Sequence, residues 1–169
     1  LPFEFSLNIS YKDIIEPDFL EFIKSMLNKY NISNRVVFEI LEDESIKNYQ
    51  CLVQFIDEVK ALGCKIAIDD FGSGYSNFEY LLKMNVDYLK IDASLIKNVA
   101  TDETSYKITK TIIEFAKNLN LKTIAEYVEN EQIFNIVRDL GADYSQGYFF
   151  SEPIAIPNVS EFQKKMNHE

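Results

Sequence analysis

The chain has 169 residues, 47% of them hydrophobic, and a formal net charge of −10 at pH 7. This length and composition suit one globular domain. With 27 acidic residues against 17 Lys and Arg, the composition argues against a protein that binds the backbone of DNA or RNA, which requires a basic surface. An anionic ligand would need a local reversal of the acidic field, and bound divalent cations provide one.

Cysteine usage and hydropathy together indicate the cellular compartment. Cys51 and Cys64 stand in apolar stretches and are expected to be buried, reduced thiols. No run reaches the roughly 18 apolar residues of a membrane span, and no signal peptide is recognised. We therefore expect a cytoplasmic domain. The first residue is Leu1 rather than Met, which predicts a piece of a longer protein whose upstream segments could tether it to a membrane.

Apolar β-prone runs alternate with amphipathic stretches at helical spacing along the whole chain. In chain order the predicted elements are a strand at 3–9, a helix at 17–30, a strand at 35–41, a helix at 46–62, a strand at 64–68, a helix at 76–84, a strand at 88–91, a helix at 104–119, a strand at 123–127, a helix at 131–140, a final apolar run at 144–149 and a helix at 157–166. Gly63 and Gly141 follow two of the helices in the usual position for glycine, and Asp102 or Thr101 is the predicted cap of another. Such alternation predicts a parallel sheet with outer helices in one α/β domain.

A polar residue stands at or near the carboxyl end of each predicted strand. These residues are Asn8, Glu39, Asp69, Asp70, Lys90, Glu126 and Gln146. Strands naturally give way to polar loops, but chance would supply a mixture of Ser, Thr, Asn, Gly and Lys, whereas four of these seven are carboxylates. In strand–helix barrels the carboxyl ends of the strands meet at one mouth, so we expect these side chains to converge.

The adjacent pair Asp69 and Asp70 is the most informative of these positions. Because side chains alternate along a strand, the pair can direct one carboxylate inward and the other sideways, and so bridge two hard cations or divide acid and base duties. The alternative is a solvated acidic turn in which Gly72 and Gly74 supply positive φ. The recurrence of carboxylates at other strand ends favours the first interpretation.

The donor types indicate which metals and which reaction to expect. Asp, Glu and Asn oxygens suit Mg²⁺, Mn²⁺ or Ca²⁺ rather than zinc, and the only histidine, His168, is expected to be a solvated residue near the C-terminus. Lys90 can orient a water nucleophile or balance charge on a phosphate; the alternative is a salt bridge to Asp92. Carboxylates able to bridge two ions are typical of phosphoester hydrolysis. The residues alone thus predict a metal-dependent phosphoester hydrolase on a barrel-like fold.

Seven motifs, in order, resemble the EAL domain family, the cyclic di-GMP phosphodiesterases. They are Leu-Asn-Ile-Ser at 7–10, Phe-Glu-Ile-Leu-Glu at 38–42, Ile-Asp-Asp-Phe-Gly-Ser-Gly-Tyr-Ser at 68–76, Leu-Lys-Ile-Asp at 89–92, Ala-Glu-Tyr-Val-Glu at 125–129, Gly-Ala-Asp-Tyr-Ser-Gln-Gly-Tyr at 141–148 and Ser-Glu-Pro at 151–153. The resemblance implies a (βα)₈ TIM-like barrel, incomplete here, with about six parallel strands and outer helices.

The resemblance also implies roles for the strand-end residues. Asn8, Glu39 and Asp69 would bind one Mg²⁺ or Mn²⁺, and Asp69 would bridge to a second, which Asp70 and Glu126 would also hold. Lys90 would position the water that opens cyclic di-GMP to linear pGpG. The implied supporting residues of the network and the loop are Glu42, Glu129, Gln146, Gly72, Ser73 and Gly74. Ca²⁺ would inhibit.

The family further implies partners outside this chain. The loop at 71–77 and the helix that follows it would lie near a homodimer interface, and a sensory or GGDEF-type module would precede the domain. The Glu-Ala-Leu signature itself is missing. We expect it upstream, with two strands and a substrate-binding arginine, so residues 1–169 would be the C-terminal two-thirds of one barrel and inactive alone.

Two positions depart from the family pattern. Tyr127 stands where the family usually has Gly and could crowd the pocket beside Glu126, and Leu41 stands where it usually has Thr. One alternative function is a catalytically silent EAL domain that acts as a cyclic di-GMP receptor or interaction module. Another is an unrelated one-metal barrel enzyme for sugar or enol substrates, which leaves Gln146-Gly-Tyr unexplained.

Overall fold

The computed structural model describes residues 3–41, 48–74 and 81–153. Six strands form a single sheet in sequential order, every neighbouring pair parallel. The strands are β1 (Phe5–Ile9), β2 (Val36–Leu41), β3 (Lys65–Phe71), β4 (Tyr88–Ile91), β5 (Lys122–Ala125) and β6 (Tyr144–Ser145). The predicted α/β architecture, an incomplete TIM-like barrel, is confirmed.

Helices connect the strands on one side of the sheet. They are α1 (Tyr11–Ile14), α2 (Phe19–Tyr30), α3 (Tyr49–Ala61), α4 (Ala93–Asn98), α5 (Glu103–Asn118) and α6 (Glu131–Leu140). Two predicted helix boundaries are confirmed. Asp102 accepts from the Ser105 amide at the start of α5, and Gly141 ends α6 with φ of +90°. The helix predicted at 157–166 and most of the one at 76–84 lie outside the described residues.

Two short helices were not predicted because each has a single turn or little more. In α1, Ser10 and Asp13 form a reciprocal capping box, which compensates for the few internal hydrogen bonds. Helix α4 begins directly after β4, with Asp92 as its cap. Neither segment is long enough to display helical periodicity.

The two faces of the sheet have different roles. Outward side chains such as Phe38 and Leu89 join the helices in one large apolar core. Helix α3 shows why: its buried residues Leu52, Phe55, Ile56 and Val59 recur at the spacing of one helical face. The inward face holds a much smaller apolar cluster, formed by Val37, Ala67 and Tyr88 with Ile124 packed against it. Polar side chains therefore occupy the rest of the interior.

Two Asp-Tyr pairs fix the register at the amino ends of the strands, a device the sequence analysis missed. Asp87, just before β4, accepts from the Ile66 amide of β3 at 2.8 Å, and Asp143, just before β6, accepts from the Thr123 amide of β5 at 2.9 Å. Each aspartate also pairs with a lysine. The tyrosines that follow the two aspartates meet edge to face, with ring centroids 6.0 Å apart.

The sheet has two open edges. Among the described residues, β1 pairs only with β2 and β6 only with β5. In the same ranges, no helix is both long and apolar enough to cross a membrane.

The two cysteines are expected to differ in reactivity. Cys64 is buried, which raises the pKa of its thiol to about 11, whereas Cys51 is only half-buried. Because the thiolate is the reactive species, we expect Cys64 in native Cys51→Ser protein to react with a thiol reagent at pH 8 far more slowly than in urea. Native Cys64→Ser protein, which keeps Cys51, is the control and should react faster. Rapid labelling of native Cys64 would contradict the packing of β3 under α3.

Candidate metal centre

Strand register places the first polar side chains of the site side by side. Asn8 of β1 stands opposite Glu39 of β2, and Glu39 stands opposite Ala67 of β3. Asp69 lies two residues after Ala67 and therefore on the same face. The predicted convergence at the carboxyl ends of the strands thus follows from parallel pairing and side-chain alternation.

Lys90 is the centre of the site. Its ammonium lies 2.6 Å from a Glu39 oxygen, 2.8 Å from an Asp69 oxygen and 2.9 Å from a Glu126 oxygen. The lysine is 3% exposed. Its partners come from β2, β3 and the residue just after β5, so one ammonium connects four neighbouring segments of the sheet.

A break in the sheet brings the two adjacent aspartates together. The register between β3 and β4 shifts between Ile68 and Phe71, and Asp70 within this irregularity has φ of +55°. Such bulges re-aim side chains near active sites. One carboxylate oxygen from each of Asp69, Asp70 and Glu126 lies within 4.8 Å of the other two. Regular alternation would have separated the two aspartates.

This cluster fits a hard divalent cation. Its convergent donors are all carboxylate oxygens, the ligands that Mg²⁺, Mn²⁺ and Ca²⁺ prefer. Glu39 contacts Lys90 from β2, the strand next to the edge strand β1, on which Asn8 is exposed. The site therefore has a compact side, made by Asp69, Asp70 and Glu126, and an open side, made by Asn8 and Glu39.

Burial shifts the protonation equilibria of the site. Burial alone would lower the pKa of Lys90, but hydrogen bonds to Asp69, Glu39 and Glu126 outweigh it and raise that pKa above its ordinary value. Burial raises the pKa of Glu126, and the hydrogen bond from Lys90 offsets part of the rise. Lys90 is therefore a permanent cation at neutral pH.

Asp92 belongs to the neighbourhood, although its predicted alternative role is wrong. The ion pairs of Lys90 run to the three carboxylates named above, and Asp92 instead accepts from the Ser94 amide at 2.9 Å. Burial and the nearby charge of Asp69 raise the pKa of Asp70, and a hydrogen bond with Asp92 adds to the rise. In the sequence, the position of Asp92 two residues after Lys90 is the feature that places it near the site.

The loop after β3 is described only in part. Gly72 has φ of +99°, and a Cβ there would lie 2.6 Å from the Leu95 side chain, so this glycine permits close contact with α4. The Ser73 amide donates to the Asp70 carbonyl, and Gly74 has φ of +123°. Glu42 and residues 75–77 lie outside the described residues.

The loops after β5 and β6 pack closely and are joined by a backbone hydrogen bond. The Val128 amide donates to the Gln146 carbonyl, and a Cβ on Gly147 would lie within 2.4 Å of Val128 backbone atoms. The Gln146 side chain lines a cavity of about 210 Å³ with Glu126. Glu129 is exposed and lines the same cavity.

The charge balance at Lys90 is directly testable. We expect Lys90→Met to lower the free energy of unfolding at pH 7 in EDTA by about 3–5 kcal/mol, the usual cost of leaving buried charges unpaired. A carboxylate with a raised pKa in the folded state is less destabilising once protonated. The variant should therefore recover stability relative to the wild type as pH falls from 7 to 5, and urea titrations at both pH values measure this.

Lys24→Met is the matched control. Lys24 pairs with Glu21 and Glu58 at 2.9 Å each on the surface, where ion pairs contribute little, so its stability should change little and without the acid recovery. Wild-type stability of Lys90→Met at pH 7 would show that the three carboxylates do not depend on this lysine.

Comparisons with known proteins agree with this geometry. The family model described as "EAL domain" matches residues 1–153. Cyclic di-GMP phosphodiesterase PdeF of Escherichia coli K12 is 37% identical over 150 residues, which are 88% of this chain and 20% of PdeF. This chain thus spans about a fifth of that relative's length.

Solved structures share the fold. The EAL domain of Mycobacterium smegmatis DcpA superimposes with a TM-score of 0.86 at 26% identity, over 98% of this chain and 73% of that one. Klebsiella pneumoniae BlrP1, in complex with manganese and cyclic di-GMP, superimposes with a TM-score of 0.81 at 26% identity, over 89% of this chain and 39% of that one. By sequence and by fold, the chain belongs to the EAL domain family.

Proposed function

We propose that the protein containing this chain hydrolyses one phosphodiester bond of cyclic di-GMP and releases linear pGpG, as a metal-dependent enzyme of bacterial second-messenger signalling. The gathering of Asp69, Asp70 and Glu126 around Lys90 carries the proposal. The activity named for PdeF and the cyclic di-GMP bound to BlrP1 support the choice of substrate.

Two divalent cations would be held by the two sides of the site. Asn8, Glu39 and Asp69 would hold one, and Asp69, Asp70 and Glu126 the other. Bound there, the cations would neutralise charge on the phosphoryl oxygens and lower the pKa of the attacking water. We propose Mg²⁺ or Mn²⁺ as the activating ion and Ca²⁺ as an inhibitor.

Lys90 would act as a hydrogen-bond donor and not as a base. Its ammonium lies 2.6 Å from Glu39, 2.8 Å from Asp69 and 2.9 Å from Glu126, so Nζ is placed to donate to a water held among these carboxylates. Gln146 would support the same network from the β6 loop, and Glu129 from the β5 loop. Glu42 would steady the loop that contains Gly72, Ser73 and Gly74.

The homodimer and the upstream sensory or GGDEF-type module also remain proposals. The described part of the 71–77 loop adjoins a groove of about 390 Å³ whose other wall is α5 and includes Lys107 and Ile108. Ile108 and Tyr106 are exposed on this helix, so apolar surface for a second copy is available beside the loop.

Removing one bridging carboxylate tests the activity. We expect Asp69→Asn in the full-length protein to reduce Mg²⁺- or Mn²⁺-dependent pGpG release below about 1% of the wild type, because even outer-shell changes at metal sites cost about 10–100-fold. Asp57→Asn, the same substitution on the exposed face of α3, should leave the rate unchanged. Chromatography of the nucleotide products measures both rates.

The outcomes separate the alternatives. Substantial turnover by Asp69→Asn would refute the assigned role of that residue. Wild-type protein that binds cyclic di-GMP but releases no pGpG with either cation would be a silent receptor instead of an enzyme.

We further propose that residues 1–169 are the C-terminal two-thirds of one EAL-type barrel. The open edges at β1 and β6 support this, and so does the greater length of the DcpA domain. Purified alone, residues 1–169 should release negligible pGpG, because Asn8 on the open edge would lack neighbouring ligands. Full-length protein under identical conditions is the control. Robust turnover by the short chain would contradict the proposed domain boundary.

A further inference from the structure

Tyr127 has an unusual backbone conformation. Its φ is +57°, and the other non-glycine residues with positive φ in the described ranges are Asn31, Asp70 and Asn120. Asn and Asp tolerate the left-handed region because their short side chains bond locally, whereas a bulky residue there is a strained outlier. Tyr127 directly follows Glu126, so the strain lies beside the site.

The neighbouring residue holds this conformation in place. Val128 is fully buried, its amide donates to Gln146 and its carbonyl accepts from the Phe149 amide at 3.0 Å. Gly147 packs against the same backbone. Since the chain cannot relax on that side, any residue at 127 must adopt positive φ.

Packing of the Tyr127 side chain does little to offset the backbone strain. Tyr127 is 42% exposed, so its ring is not part of the apolar core. Glu129 lines the same cavity as the ring, and the Lys97 ammonium lies 5.8 Å from the ring centroid. Strain that local packing does not explain is typical of functional positions.

The ring lines the cavity that connects with the site. Glu126 and Gln146 form the side of this cavity towards the candidate metal centre, and Tyr127 and Tyr148 contribute two aromatic side chains. Its volume of about 210 Å³ is below the roughly 300–1,000 Å³ of pockets that enclose a whole drug-sized ligand. The cavity therefore suits one part of a larger molecule, and a flat aromatic part matches its walls.

We infer that Tyr127 stacks against one guanine base of the cyclic dinucleotide, an inference that rests on the proposed function. Lys97 covers one face of the ring, so the base lies against the other. Glu129, which lines the same cavity, offers a carboxylate acceptor to the N–H donors of the guanine edge. Tyr127 thus increases substrate affinity by an aromatic contact that glycine at this position cannot make.

Tyr127→Gly distinguishes backbone strain from a role in binding, because it should relieve the strain and yet weaken the binding of cyclic di-GMP. Glycine adopts φ of +57° without strain, so the melting temperature without nucleotide should not fall. Affinity for cyclic di-GMP, titrated calorimetrically into full-length protein with Ca²⁺, should fall about tenfold, as expected for one base–aromatic stack. Tyr127→Phe keeps the ring and should stay within about threefold of the wild type.

Tyr30→Ala removes another exposed tyrosine, at the end of α2, and should not change the affinity. Equal affinity of Tyr127→Gly and wild-type protein would overturn this inference and leave the proposed function intact. A wild type that does not bind cyclic di-GMP would overturn both. A tenfold loss in Tyr127→Gly that Tyr127→Phe does not share supports stacking even if Asp69→Asn proves active.

Discussion

The Lys90 ammonium is the interaction on which the site depends. Three carboxylates on neighbouring segments of one curved sheet would repel each other in a buried setting, and Lys90 neutralises part of that charge from within hydrogen-bond distance of Glu39, Asp69 and Glu126. The sheet can therefore bring acidic side chains together at its carboxyl edge without a bound ligand. The same arrangement leaves net negative charge at the mouth, which attracts divalent cations.

Backbone geometry, more than side-chain chemistry, decides where the individual donors point. Asp70 contributes to the cluster because the register shift and its positive φ turn it towards Asp69. On the far side, Gly147 lets the β6 loop approach Val128 closely enough to fix the strained residue between Val128 and Glu126. Irregular backbone on both sides of Lys90 thus defines a site on an otherwise regular parallel sheet.

Much of this organisation is predictable from the sequence, because side-chain alternation along a strand and the parallel pairing of successive strands follow simple rules. Alternation and parallel register are sufficient to bring Glu39, Asp69 and Lys90 to one face. The recurrence of carboxylates at strand ends predicts that Asp70 joins Asp69, but the register shift and the positive φ that turn Asp70 towards Asp69 do not follow from alternation. The Asp-Tyr pairs that begin at Asp87 and Asp143 repeat visibly, yet their meaning depends on which strand lies alongside, which only the fold reveals.

The two sides of the site differ in how much they depend on the rest of a barrel. Asp69 and Glu126 are held by Lys90, and the backbone irregularity of β3 brings Asp70 to them, so the geometry of all three is fixed within the described part of the chain. Asn8 lies on β1, whose other edge is open there. An edge strand positions its side chains less firmly than a strand paired on both sides, since half of its backbone groups lack a partner. For the cations proposed above, the compact side therefore offers the more firmly positioned ligands.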